Sequence, residues 1–412
     1  MKALLVIADG MADRPDKELG WKTPLESARK PSLDWIARTG VCGIIDPISP
    51  GVPAGSDTAM LSLFGYDALK IYSGRGALEA LGSGLKVFPG DVAFRCNFAT
   101  VDKNMIVTDR RAGRIPNEAA SKLAKSLQKI RLKESDVDFL FKNTVQHRAV
   151  LKLHGGKLST AVTETDPAET GKRILKAKPL NDTAEAKRTA GLLNEITGKF
   201  HGVLQDHPLN KERAKQGLAV ANMVLCRGAG TVPKIKPLSD VYDIKVACVA
   251  AVPLVKGVCM LAGMKMFHVK GATGTLDTDY SAKGKAAVQA LKDHGLVVLH
   301  VKATDIASHD RKPKLKAEVI EKIDAMLGSV LDKIDMDSTY VAVTADHTTS
   351  VVTGRHEGEP VPIAITGQYV RRDDVREYGE RTCARGGLGR IRGMELMPIL
   401  MNLLGKTKQF GA

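Results

Sequence analysis

The sequence predicts an α/β protein with a mostly parallel sheet flanked by helices, interrupted by an inserted α+β domain. Three observations lead there. Short apolar runs end in an acid at Ala3–Gly10 (ALLVIADG), Leu296–Asp305 (LVVLHVKATD) and Tyr340–His347 (YVAVTADH). Helical patterns separate these runs, and the block from about Val87 to Asp240 has a different texture. Runs without apolar/polar alternation suit a parallel sheet covered on both faces. Ligands of such sheets bind beyond the carboxyl ends of the strands, and Asp9, Asp305 and Asp346 all fall at that edge.

Each element follows in order. MKALLVIADG superficially resembles a leader peptide, but its apolar run is short and stops at Asp9–Gly10 without a small-residue cleavage site. It reads as a first buried strand. GVPAGSDTAMLSLFGY gives a Pro/Gly turn and an amphipathic helix opened by Ser56. LGSGLKVFPG near Gly82–Gly90 and VPKIKPLSD near Val232–Asp240 are hinge-like. Between them lie VAFRCNFATV, NMIVTD, HRAVLKLHG, a polar stretch and LAVANMVLCRGAG. Residues 1–84 and 242–412 are therefore assigned to a discontinuous core, and 85–241 to the insert. LKAEVIEKIDAMLGSVLDKI, with apolar positions at three- and four-residue spacing, is a helix before the third run.

A chain of 412 residues exceeds one simple core. Its 43% hydrophobic and 26% charged residues describe a soluble globular protein, and no stretch nears the roughly 18 apolar residues of a membrane helix. Lys and Arg number 61 against 46 acids, a net +15 that attracts anions, phosphorylated metabolites among them. Aromatics are only 4%, with no basic segment interleaving them, which argues against nucleic acid. Six scattered cysteines without CxxC spacing read as reduced thiols in a cytoplasmic protein.

ATDIASHD sets Asp305 and His309 four apart, on one face of a helix that would begin after Asp305. Asp346 and His347, adjacent at a strand end, point in different directions and suit two neighbouring ions better than one. His356 adds an imidazole from the following loop. In isolation each also has a plain reading: Asp305 and Asp346 as caps, the histidines as solvated side chains, Ser56 as an N-cap. Carboxylates mixed with imidazoles suit Mn²⁺, Co²⁺, Zn²⁺ or Mg²⁺. Two bridged ions imply phosphoryl or hydrolytic chemistry.

LLVIADGMADRP, GVPAGSDTAMLSLFGYD, YSGRGALEALGSG, VAFRCNFATVD, DRRAGRI, HVKATDIASHD, TADH and RHEGEPVPI together resemble the archaeal-type cofactor-independent phosphoglycerate mutases of the alkaline phosphatase superfamily. The resemblance covers essentially the whole chain. It implies an alkaline-phosphatase-like core and a lid formed by the insert. It implies a phosphoserine on Ser56 and two divalent ions, one on Asp305, His309 and His356, the other on Asp9, Ser56, Asp346 and His347. The implied activity is the interconversion of 3- and 2-phosphoglycerate in glycolysis and gluconeogenesis, without 2,3-bisphosphoglycerate. Arg95, Arg110, Arg111, Arg114, His147 and Arg148 of the insert would clamp the substrate, with Arg75 and Lys256 as weaker candidates. The alternative is a related phosphotransferase or phosphatase on another small hydroxy acid or amino acid. No nucleic-acid or membrane partner is expected, and the oligomeric state is left open.

Overall fold

KALLVIA forms the first strand, and five of its seven residues carry no exposed surface. The structure is a computed structural model describing residues 1–134 and 136–411. The chain forms two units, Met1–Tyr72 with Ile235–Ala412, and Ser73–Lys234. In chain order the strands are β1 (Lys2–Ala8) and β2 (Gly40–Asp46) in the first unit. The second unit holds β3 (Val92–Val101), β4 (Val107–Asp109), β5 (Val137–Asn143), β6 (Arg148–Gly155) and β7 (Met223–Gly230). Back in the first unit come β8 (Val246–Val249), β9 (Lys265–Met266), β10 (Leu296–Val301) and β11 (Thr339–Thr344). They are followed by β12 (Thr348–Ser350), β13 (Arg355–Glu357), β14 (Val361–Thr366) and β15 (Gly389–Arg392).

The first unit is built on an eight-stranded sheet in the order β15-β2-β14-β11-β1-β10-β8-β9. It is parallel except where β14 runs antiparallel to β11 and β2. In register, Leu4 stands between Val297 of β10 and Val341 of β11, so three fully buried rows meet at the centre. Burial on both faces explains why these segments show no polar alternation. The carboxyl ends of β1, β10 and β11 lie side by side, which sets Asp9, Lys302 and Ala345 at one edge.

Three expectations change. β10 stops at Val301, and Asp305 lies in the first turn of the helix Ala303–His309. The border expected at 84/85 falls at Tyr72/Ser73 instead, because the helix Arg75–Gly82 packs on β3, β6 and β7. Gly74 permits that packing: its φ is +112°, and a Cβ there would lie 1.9 Å from the Ala229 carbonyl oxygen. The border expected at 241/242 falls at Lys234/Ile235, ahead of the helix Leu238–Tyr242.

The second unit is α+β. β3 pairs antiparallel with β4, β6 and β7, and β6 pairs with β5. The helices Asn117–Leu127 and Ala184–Gln205 cover the sheet. Phe98, Phe141 and Phe200 interlock beneath them, with T-shaped rings 5.6 and 5.0 Å apart.

Candidate metal centre

The centre begins with three buried carboxylates at the strand edge: Asp9 (0% exposed), Asp305 (2%) and Asp346 (0%). Unpaired buried charge is costly, so their surroundings should neutralise it. Lys302 does part of this. Its ammonium lies 2.8 Å from Asp9 Oδ1 and 2.6 Å from Asp305 Oδ2. Burial opposes the charge of Asp305, but His309, His356 and Lys302 outweigh it and hold the carboxyl well below the usual range. Burial also opposes the charge of Asp9, and Lys302, His300 and His347 overcome it.

Three imidazoles face these oxygens, each through Nε2. His309 Nε2 and His356 Nε2 are both 3.3 Å from Asp305. His347 Nε2 is 3.4 Å from Asp9 and 3.4 Å from Asp346. Their other nitrogens are committed: His309 Nδ1 bonds the Gly354 carbonyl at 2.8 Å, and His356 Nδ1 bonds the Ala54 carbonyl at 2.7 Å. His347 Nδ1 meets Thr349 Oγ1 at 3.0 Å, a hydroxyl that donates to Asp305 Oδ1 and so accepts from the ring. In the neutral tautomer this leaves three Nε2 lone pairs turned toward carboxylates. Lone pairs against anions are tolerable only with a cation between them; otherwise each ring must carry a proton on Nε2. Such Nδ1 anchoring is also what orients metal-bound histidines. Asp346 Oδ2 adds to this: it is buried and receives no hydrogen bond, while Oδ1 takes those of Gly10 N–H and His347 N–H, both at 3.0 Å.

Among the described residues, three groups have donor atoms mutually within 4.8 Å: Asp305–His309–His356, Asp9–Asp305–His347 and Asp9–His300–Asp346. Ser56 joins them, its Oγ 3.2 Å from His347 Nε2. It is the first residue of the helix Ser56–Leu63, whose N-cap is Gly55, so Ser56 does not serve as the cap. The donor set of hard carboxylates and imidazoles suits divalent Mn²⁺, Co²⁺, Zn²⁺ or Mg²⁺.

Sequence reading missed four participants. His300 Nε2 lies 2.9 Å from Asp9 Oδ2 on a fully buried ring, inside what reads as a plain apolar strand. Lys302 looks like a surface cation. Thr349 carries no signal by type. Gly10, with φ +62°, lets Thr349 and Asp305 approach: a Cβ there would lie 2.4 Å from Thr349 Oγ1 and 3.0 Å from Asp305.

The insert candidates form a separate constellation. Burial, then Arg148, Arg111, Arg114 and Arg95, push the His147 imidazole down to about 4. Its Nδ1 is buried without a partner. Arg95 lies 3.3 Å from Glu79. Arg110 is instead bound to Asp166 by two bonds of 3.1 and 2.7 Å, so its fork is taken. Lys256 sits in the helix Pro253–Leu261, outside the insert, and burial lowers its pKa.

Comparison with known proteins gives these residues a context. The family model described as 2,3-bisphosphoglycerate-independent phosphoglycerate mutase matches residues 37–210. A protein of that name from Pyrococcus furiosus is 49% identical over 100% of this chain and 99% of its own. One from Methanocaldococcus jannaschii is 45% identical, with 100% and 99% covered. A solved Pyrococcus horikoshii protein superposes with TM-score 0.88 at 41% identity, covering 100% of this chain and 99% of that one. The cofactor-independent phosphoglycerate mutase of Thermoplasma acidophilum does so with TM-score 0.72 at 37% identity, covering 98% and 100%. Identity of this order along the entire length leaves one assignment, and the chain belongs to the family of 2,3-bisphosphoglycerate-independent phosphoglycerate mutases.

Proposed function

We propose that the protein is an isomerase that interconverts 3- and 2-phosphoglycerate, the step shared by glycolysis and gluconeogenesis, by passing the phosphoryl group through Ser56. The observation that carries this is the buried Ser56 hydroxyl, 3.2 Å from His347 Nε2, beside a carboxylate/imidazole cluster whose Nε2 atoms all face anions. Asp305, His309 and His356 would hold one divalent ion, and Asp9, Ser56, Asp346 and His347 a second. Bound ions neutralise the oxygens of the phosphoryl group and favour the Ser56 alkoxide.

The remaining steps belong to the chain itself. Ser56 Oγ attacks phosphorus, the 3-hydroxyl of glycerate leaves, and phosphoserine forms. The N-terminal end of the helix Ser56–Leu63 favours the phosphate there. Glycerate then turns so that its 2-hydroxyl reclaims the group. Arg95, Arg111, Arg114 and Arg148 with neutral His147 would hold the carboxylate and phosphate during that turn. Several guanidinium groups crowding one unpartnered imidazole favour a multiply charged anion. Keeping water from the phosphoserine separates a mutase from a phosphatase, and we assign that task to the insert. With a free metabolite as substrate, we assign the enzyme to the cytoplasm. Separately, no helix among the described residues is long and apolar enough to cross a membrane.

The test is conversion of 3-phosphoglycerate with Mn²⁺ or Co²⁺ and without 2,3-bisphosphoglycerate, with 2-phosphoglycerate and free phosphate both measured. Predominant phosphate release would replace the mutase reading with the phosphatase one. Ser56→Ala is expected to lower turnover by roughly 10⁴-fold or more while Mn²⁺ still binds. A near-normal rate would point to water as the nucleophile.

A further inference from the structure

All six cysteines are buried, and the fold gathers them into couples that the sequence does not suggest. Cys42 lies beside Cys383, and Cys248 beside Cys259. Cys96 and Cys226 are the couple with the most defined geometry. They are directly opposed in the antiparallel register of β3 and β7. Cys226 directs both backbone groups to Thr165: its N–H donates to Thr165 Oγ1 at 2.8 Å, and its carbonyl accepts the Thr165 N–H at 2.9 Å. Those groups therefore point away from β3, and Cys96/Cys226 is a pair without mutual hydrogen bonds. Pairs of that kind bring Cα atoms to about 4.5 Å with side chains closest. That spacing lies inside the disulfide range of about 4.4–6.8 Å. The two Sγ atoms are already 3.4 Å apart. Side-chain rotation is enough to close the rest.

We propose that Cys96 and Cys226 form a disulfide that staples the first and last strands of the inserted unit. The oxidant is a low-molecular-weight disulfide such as oxidised glutathione. One cysteine thiolate attacks it, forming a mixed disulfide and releasing one small thiol. The second cysteine thiolate then attacks the mixed disulfide, the protein S–S bond forms, and the second small thiol leaves. Two protein thiols lose two protons and two electrons, and the small disulfide is reduced to two thiols.

The folded sheet sets the timing of this chemistry. Cys96 is 0% and Cys226 1% exposed. Burial and the neighbouring thiol push Cys96 well above the ordinary thiol range, so thiolate is scarce once the sheet has closed. The bond is made while β7 is still docking on β3, and closure then shields it from reductants. Two thiols pre-positioned in contact also have a high effective concentration, so the oxidised form competes well against a glutathione pool.

The test is to unfold the full chain and refold it with oxidised and reduced glutathione, then alkylate, digest and map the peptides. A pair of peptides joining Cys96 to Cys226, two hydrogens lighter than its parts, should dominate. The refolded protein should melt about 5–10 °C above the same protein refolded in dithiothreitol. Dithiothreitol should cleave the bond in denaturant and leave it intact in the native protein. In Cys226→Ala the cross-link should vanish and the oxidant-dependent gain in Tm should shrink. Alkylation of both Cys96 and Cys226 after oxidative refolding overturns the proposal. So does a cross-linked protein that melts no higher than the reduced one.

Discussion

Gly10 shows how much of the centre depends on a residue with no chemistry of its own. A side chain there would be strained by φ +62° and would press on Thr349 Oγ1, the hydroxyl that donates to Asp305 and orients His347. Gly10→Ala is expected to destabilise the protein by about 1–3 kcal/mol and to weaken Mn²⁺ binding by about tenfold. Thermal melting and an EPR titration of Mn²⁺ measure the two effects, and unchanged affinity would remove the orienting role given to Thr349. Glu380 gives a pH-dependent prediction. Burial raises it from 4.5 to about 7, although Asp13 N–H and Thr23 Oγ1 donate to it. An acid whose folded pKa is raised binds protons more tightly when folded, so its presence costs stability as pH climbs from about 4.5 to about 7. Glu380→Gln should match the parent in unfolding free energy near pH 4 and exceed it at pH 8, by on the order of 1 kcal/mol. At this scale the sequence revealed the ligand-type residues, because acids and imidazoles at strand ends are conspicuous. It concealed His300, Lys302 and Thr349, whose parts depend on what stands opposite them.

The helix Pro313–Leu331 carries Lys316, whose ammonium is sealed from solvent. It donates to the Ala12 carbonyl at 3.1 Å, Asp13 Oδ2 at 2.7 Å and the Thr349 carbonyl at 2.9 Å. One cation thereby ties the segment following β1, with Asp9, to β12, which follows Asp346 and His347. Asp13 completes the brace by accepting the Val351 N–H. Lys316→Met leaves Asp13 buried and uncompensated, an expected loss of about 3–5 kcal/mol. Lys316→Met with Asp13→Asn should recover much of the melting temperature while Mn²⁺ affinity stays low. Recovery of both would show that the brace serves stability alone. Among the elements, β1, β10 and β11 were legible because burial on both faces leaves an unbroken apolar run. β2, β14 and β15 were not picked out. β15 in particular is exposed or half-buried along its length, and its pairing with β2 depends on tertiary placement.

For the whole molecule, the surplus of +15 bears on catalysis through association. Raising KCl from about 0.05 to 0.5 M should lower kcat/KM for phosphoglycerate several-fold, mostly through KM, as screening weakens attraction of the anion. A flat salt profile would remove long-range charge from the account. The change of texture near Val87 signalled an insert, but the helix Arg75–Gly82 was put with the wrong partner, since its apolar face does not name the sheet it covers. The interrupted core also sets the order in which the protein can assemble on the ribosome. β1 leaves the exit tunnel first, yet its neighbours β10 and β11 begin only at Leu296 and Thr339. The insert, complete once β7 has emerged, can fold while the oldest strand is still waiting. A nascent chain halted before Leu296 would therefore display LLVIA to chaperones beside a finished neighbour.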